Sequence, residues 1–138
     1  MYKTILVTIE TTPTDRAIID HVKLLAKSMG SRVVLLHVAT GAAARWHGAD
    51  AASEEVTKAR AFLEQVKSEF DQLGVPAESQ LAYGDPAKEI VAWVEKNGCD
   101  LVGMSTHGHK LVADVLLGAT ASRVQHNIRT PVLLIRAT

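Results

Sequence analysis

Small and polar residues cluster in two neighbouring runs that could bind an anion. The run Ser105–Lys110 (STHGHK) contains Gly108, and Gly118-Ala119-Thr120 follows that glycine after nine intervening residues. Small residues let backbone N–H groups approach a phosphate, and the start of a helix adds unpaired N–H donors. Hydroxyl, imidazole and ammonium groups in both runs could donate further hydrogen bonds. Neither run is a Walker loop or a GxGxxG motif, and a turn before a helix is the other explanation of the glycines.

Five apolar runs predict the strands that must position these residues. They are Thr4–Ile9, Arg32–Ala39, Glu78–Tyr83, Asp100–Met104 and Pro131–Arg136. Four of the runs are nearly continuous, which is typical of strands covered on both faces. The third run is weaker and is predicted to lie at an edge of the sheet.

Apolar residues three and four positions apart predict four helices between the strands. The first ends at Gly30, and the second has Glu54 and Glu55 in its first turn and ends at Gly74. Asp85–Pro86 is expected to cap the third helix, which ends at Gly98. The last is predicted over Gly118–Asn127.

This alternation predicts the fold class. Parallel strands need a crossover, which a helix supplies. Right-handed crossovers then predict a single-domain α/β protein over residues 1–138, an open doubly wound five-stranded parallel sheet with helices on both faces. Ligands bind such sheets beyond the carboxyl ends of the strands. The long connections Thr40–Ala52 and Ser105–Leu117 both follow such ends.

Composition excludes several classes of function. The chain has 15 basic and 15 acidic residues among its 138, so no strong field attracts nucleic acid or acidic lipid. A single cysteine, Cys99, and the lack of a recognisable signal peptide or apolar span predict a cytoplasmic protein that does not bind membranes. Cys99 has no neighbouring base and no GxSxG motif occurs, so no catalytic residue is proposed. His37 is expected in the core, with a ligand-binding role as the alternative.

Several motifs resemble those of the universal stress protein family, whose nucleotide signature is G-x2-G-x9-G-[ST]. The matching residues are Ser105–Gly108 and Gly118-Ala119, with serine at the first glycine and alanine at the final hydroxyl position. MYKTILVTIE and LLHVA resemble the first two strands of the family. GDPAKEIVAWVEKNGCDLVGMSTHG resembles its third helix and fourth strand, and VQHNIRTPVLLIR its closing helix and strand. The resemblance covers essentially the whole chain.

The resemblance implies an adenine nucleotide, ATP or AMP, that acts as a regulatory ligand in a stress response, with Mg²⁺ as a candidate companion ion. The nucleotide would lie across the carboxyl ends of the first and fourth strands. The residues expected around the base and ribose are Thr8, Ile9, Glu10, Val38 and Met104. Those expected around the phosphates are Ser105, Thr106, Gly108, His109, Gly118, Ala119 and Thr120.

The resemblance also implies a homodimer through Pro131–Arg136, whose apolar side chains would otherwise form an exposed sheet edge. Two alternatives stay open. A dimeric interaction protein of the same fold that no longer binds nucleotide is favoured by Ser105 and Ala119. A slow ATPase would need a metal and an oriented water, with Glu10 as its candidate carboxylate. The sequence names no protein partner.

Overall fold

Helices and strands alternate along the chain in the computed structural model, which describes residues 1–40, 49–106 and 119–137. The elements are β1 (Thr4–Ile9), α1 (Asp15–Met29), β2 (Arg32–Ala39), α2 (Ala49–Gln72), β3 (Ala77–Tyr83), α3 (Pro86–Asn97), β4 (Leu101–Thr106), α4 (Ala119–Asn127) and β5 (Val132–Arg136). Each predicted strand and helix is present, and only the bounds differ.

The strands form one parallel sheet in the order β3-β2-β1-β4-β5. The chain starts in the middle of the sheet, runs outward to β3, and then returns across the sheet to β4 and β5. Strand order therefore reverses between β1 and β4, the position where sheets of this kind bind ligands. The predicted fold class is confirmed, as is the edge position of the third strand.

Helices cover both faces of the sheet, because successive side chains of each central strand point to opposite faces. Ile5 and Val7 of β1 pack with Phe70 in the core under α1 and α2. Leu6, between them, packs with Ile90 of α3 and Val124 of α4 in the second core. The central strands are mostly apolar because both of their faces are buried.

Two predicted bounds differ from the structure by more than one residue. Helix α2 begins at Ala49 rather than near Glu54, since the alanine-rich start of this segment favours helix. Strand β4 continues past Met104 because Ser105 and Thr106 still pair with β5. None of the helices within the three described ranges is long and apolar enough to cross a membrane.

An ion-pair cluster fastens α1 to α2. The Arg16 guanidinium donates two hydrogen bonds to Glu69, at 2.7 Å and 2.9 Å, and Lys23 donates a third. The hydrogen bond from Arg16, followed by that from Lys23, lowers the pKa of Glu69 to about 2. Arg16 thus ties the first turn of α1 to α2.

Candidate functional site

A cavity of about 300 Å³ opens beyond the carboxyl ends of β1, β2 and β4, at the reversal of strand order. Volumes of about 300 to 1,000 Å³ are typical of sites for small molecules. The residues predicted around a ligand that line this cavity are Thr8, Ile9, Glu10, Val38, Met104 and Thr120. They come from three strands and from α4, so only the fold brings them together.

The rest of the wall consists of residues that sequence reasoning did not assign to the site. These are Leu36, His37, Thr40, Glu55, Pro86 and Ile90. Leu36 and Ile90 add apolar surface from β2 and α3. Glu55 belongs to α2, and the sequence predicted that it lies near the start of that helix. No motif marked these positions, because their proximity follows from the packing of α2 and α3 against the sheet.

Ser105 and Thr106 lie in β4 rather than in the loop where a phosphate-binding role was predicted. Ser105 pairs with Ile135, and its hydroxyl oxygen accepts a hydrogen bond at 3.2 Å from the backbone N–H of Ile18. Thr106 is buried, and its carbonyl accepts from the backbone N–H of Ala137 at 2.9 Å. The Ser105 hydroxyl therefore serves a backbone donor in the first turn of α1.

The predicted phosphate-binding residues divide between described and undescribed parts of the chain. Gly108, His109 and Gly118 lie outside the described residues. Ala119 is the first residue of α4 and is exposed, while Thr120 is half-buried and reaches the cavity wall. The beginning of α4 thus faces the cavity, with the N–H groups of its first turn unpaired within the helix.

Asp15, a residue that the sequence did not single out, organises the loop between β1 and α1. Its side chain is buried, with 1% exposure. The carboxylate accepts hydrogen bonds from the backbone N–H groups of Glu10 at 2.9 Å, Thr11 at 2.7 Å and Thr12 at 3.1 Å. Burial raises the pKa of Asp15, and these three hydrogen bonds oppose the rise. An acid in the first turn of a helix is common, so its type alone did not signal this role.

His37 lies in the core at the end of β2, as the sequence predicted, and also lines the cavity. Its Nδ1 is 2.7 Å from the carbonyl oxygen of Ile9. Because a carbonyl can only accept, Nδ1 carries the proton in this pair. Within the described part of the chain, the buried Nε2 has no hydrogen-bond partner.

Asp85 links the two helices that border the cavity. It caps α3 as predicted, accepting a hydrogen bond from the backbone N–H of Lys88 at 3.0 Å. Arg123 of α4 donates to the same carboxylate at 3.1 Å and 3.0 Å. The hydrogen bond from Arg123, followed by that from Lys88, lowers the pKa of Asp85. The carboxylate therefore stays charged and links the start of α3 to the middle of α4.

The cavity suits a ligand with a flat apolar part and a polar part. Val38, Met104 and Ile90 present aliphatic surface, whereas Thr8 and Thr120 present hydroxyls.

The sulfur of Cys99 is not an activated nucleophile, because burial raises its pKa to about 11 and keeps it protonated. Among the residues of the three described ranges, no group of three or more His, Cys, Asp or Glu could hold a metal ion.

The protein has the doubly wound α/β fold, and its cavity lies at the reversal of strand order, where sheets of this class bind ligands. The model of the universal stress protein family matches residues 1–136. The chain therefore belongs to the universal stress protein family.

Two relatives come from the archaeon Methanocaldococcus jannaschii. Universal stress protein MJ0577 is 26% identical over 99% of this chain and 96% of its own length. The solved structure of MJ0577 has a TM-score of 0.84 and covers 100% of this chain, with 98% of its own chain covered. Universal stress protein MJ0531 is 38% identical over 74 residues, which are 54% of this chain and 44% of that protein, so the match spans less than half of that relative.

Two similar solved structures contain nucleotides. A universal stress protein in complex with cAMP is 17% identical, with a TM-score of 0.75 and coverage of 99% of this chain and 98% of that one. The universal stress protein from Archaeoglobus fulgidus in complex with dAMP is 18% identical, with a TM-score of 0.72 and coverage of 97% and 98%. At these identities the likeness establishes the fold.

Proposed function

We propose that this chain binds an adenine nucleotide, ATP or AMP, in the cavity beyond β1, β2 and β4, and that the nucleotide is a regulatory ligand. One observation carries the proposal. Six of the residues that the family resemblance implies around a nucleotide line a single cavity: Thr8, Ile9, Glu10, Val38, Met104 and Thr120. The cAMP and dAMP held by two solved relatives are both adenine nucleotides, which supports the choice of base.

Aliphatic side chains would hold the base. Val38 and Met104 are buried, with exposed fractions of 8% and 5%. They come from β2 and β4, the strands on either side of β1. Ile90 of α3 adds a third aliphatic surface to the same cavity. Contact with such surfaces removes both faces of a heterocycle from water, a favourable transfer that scales with the area buried.

Polar groups on the other side would hold the ribose and phosphates. The Glu10 carboxylate could accept hydrogen bonds from ribose hydroxyls. The start of α4, at Ala119 and Thr120, offers backbone N–H donors and a partial positive charge to the phosphates. Gly108, His109 and Gly118 complete the proposed phosphate site. When bound, Mg²⁺ would supply charge neutralisation on the phosphates, and Glu10 is the protein oxygen donor proposed for it.

A ligand in this position would act through linkage. It would contact β1 and β2 as well as α3 and α4, so its binding would stabilise the arrangement of these elements. The bound protein would then differ from the free protein in stability and in surface, and no hydrolysis of the nucleotide would be needed. The proposed location in the cell is the cytoplasm, which stays a prediction from the sequence.

Isothermal titration with ATP, AMP and adenosine, with and without Mg²⁺, tests the proposal. We expect saturable binding and a melting temperature that rises with nucleotide concentration, by an amount equivalent to about 2.7 kcal/mol at 100 times Kd. GTP is the control for the base. A chain that ignores millimolar nucleotide would instead be an interaction protein of the same fold. Phosphate release that stops in Glu10→Ala would identify a slow ATPase.

We propose further that two copies pair through β5, the strand Pro131–Arg136 of the sequence prediction. β5 is an edge strand, and its side chains from Val132 to Ile135 are only half-buried. An apolar edge of this kind is a hazard unless another chain covers it. In the opposite edge strand, β3, half-buried residues alternate with exposed polar residues such as Glu78 and Gln80. This edge therefore does not need to be covered by another chain.

Sedimentation velocity at micromolar concentration is expected to show a dimer. Leu134→Lys, on β5, should yield a monomer, because a lysine ammonium cannot be buried in an apolar interface without a large cost. The matched control is Leu81→Lys on β3, at a residue that is equally half-buried and also lies on an edge strand. A monomeric wild-type protein, or equal dissociation of both variants, would contradict the proposed interface.

A further inference from the structure

The side chain of Asp15 bonds backward along the chain, away from its own helix. Its three partners are the N–H groups of Glu10, Thr11 and Thr12, which precede α1. A capping acid would instead accept from N–H groups two or three residues later. The later donor at Ile18 is served by Ser105. The geometry therefore assigns Asp15 to the loop rather than to the helix.

This loop has a conformation that needs support. Thr11 has a φ of +66°, in the left-handed region. This region costs a residue with a side chain about 1–2 kcal/mol, and it disfavours β-branched residues most. The turn at Thr11 directs three successive N–H groups at one carboxylate. Hydrogen bonds to a charged acceptor, worth about 1.5–3 kcal/mol each, are strong enough to offset that cost.

The clamped segment is the one that forms the cavity wall. Ile9 and Glu10 line the cavity, and Asp15 holds the backbone N–H of Glu10 at 2.9 Å. On the preceding residue, the Nδ1 of His37 donates to the carbonyl of Ile9 at 2.7 Å. One helix and one strand thus fix both sides of the Ile9–Glu10 peptide. Because this peptide is fixed, the position from which the Glu10 side chain leaves the backbone is fixed too.

The cationic side chain next to Asp15 in sequence does not compete for its carboxylate. Arg16, its neighbour on α1, is bound to Glu69 of α2. Burial raises the pKa of Asp15, and the electrostatic interaction of Asp15 with His37 of β2 lowers it. The carboxylate is buried at 1% exposure and is compensated by backbone donors. A buried charge held by N–H groups in this way is rigid, since any movement leaves donors unpaired.

We propose that Asp15 is a positioning residue for the nucleotide: it fixes the Ile9–Thr12 backbone and thereby presents Glu10 to the ribose. The inference rests on the proposed function, because the affected property is nucleotide affinity. It adds a residue outside the cavity lining to the determinants of that affinity. Asp15 acts through Glu10 and does not touch the ligand.

Asp15→Asn is the test variant, because the amide keeps the shape but replaces one acceptor oxygen with a donor that opposes the backbone N–H groups. We expect affinity for ATP and for adenosine to fall about tenfold or more, the size of a lost charged hydrogen bond. Asp100→Asn is the matched control. Asp100 likewise accepts hydrogen bonds from backbone N–H groups, those of Lys3 and Thr4 at 2.8 Å each, but at the opposite end of β1.

A double-mutant cycle separates positioning from general destabilisation. If Asp15 acts through Glu10, the losses of Asp15→Asn and Glu10→Gln will not add, whereas those of Asp15→Asn and Met104→Ala will. The amide proton of Thr11, hydrogen-bonded to the carboxylate at 2.7 Å, should resonate far downfield in the wild type. That signal should be lost in Asp15→Asn and kept in Asp100→Asn. Asp15→Glu, which keeps the charge, serves if the asparagine variant does not fold.

The outcomes separate the inference from the function on which it rests. Wild-type affinity in a folded Asp15 variant, or additive losses in the cycle with Glu10→Gln, would overturn the positioning role while leaving nucleotide binding intact. A wild-type protein that binds no nucleotide would overturn the proposed function and the inference with it, whatever the spectrum shows. Weak binding in Asp15→Asn with unchanged binding in Asp100→Asn supports the inference.

Discussion

Thr120→Asp is expected to weaken ATP binding by about a hundredfold or more while leaving adenosine binding nearly unchanged. Thr120 is the second residue of α4 and faces the cavity. Two unit charges about 4 Å apart interact with about 4 kcal/mol at the dielectric effective near a protein surface. A carboxylate at this position would therefore repel the phosphates. Isothermal titration of both ligands measures the effect.

The fold should survive this substitution, because an acid in the first turn stabilises a helix by about 0.3–1 kcal/mol. Thr120→Asn is the control, since its side chain has nearly the same size as aspartate and no charge. Its expected loss of ATP affinity is less than about tenfold. Equal losses for ATP and adenosine in Thr120→Asp would mean that the side chain only obstructs the cavity. Unchanged ATP affinity in Thr120→Asp would contradict the proposal that the phosphates lie at the start of α4.

Gly103→Val is expected to lower the free energy of unfolding by about 3 kcal/mol, at the upper end of the usual cost of overpacking a core. A Cβ on Gly103 would lie 2.9 Å from Cδ1 and 3.1 Å from Cγ1 of Ile18, and 3.5 Å from Cγ2 of Val22. Ile18 is fully buried and cannot swing aside. The added methyl groups must therefore push α1 away from β4. Urea denaturation measures the change.

Gly30→Ala provides the comparison for Gly103→Val. Gly30 ends α1 with a φ of +68°, and nothing lies within 4 Å of the position of its Cβ. The backbone conformation alone should cost about 1 kcal/mol there, without any packing penalty. A Gly103→Val protein as stable as the Gly30→Ala variant would show that α1 does not pack against β4 as closely as described. Such a result would also loosen the support that α1 gives to the loop at Glu10.

Much of the fold followed from periodicity because burial on two faces leaves a continuous apolar pattern. The runs at Thr4–Ile9 and Arg32–Ala39 matched β1 and β2 residue for residue. The Asp85 cap was equally predictable, since its type and the proline after it have one favoured use. Such features are predictable because each depends only on residues that are neighbours in the sequence.

The features that escaped prediction depend on contacts between distant segments. The last two residues of β4, Ser105 and Thr106, are polar, and only their pairing with β5 makes them a strand. Asp15 has the sequence environment of an ordinary first-turn acid, and its burial follows from how α1 packs on the sheet. Glu55 reaches the cavity for the same reason. Composition carries no information on such contacts.

A crystal structure of the protein grown with millimolar ATP tests the central claim most directly. We expect density for the adenine between Val38 and Met104, for the ribose beside Glu10, and for the phosphates at the start of α4 next to Thr120. A cavity that remains empty at that concentration, or a nucleotide bound elsewhere on the molecule, would contradict the account.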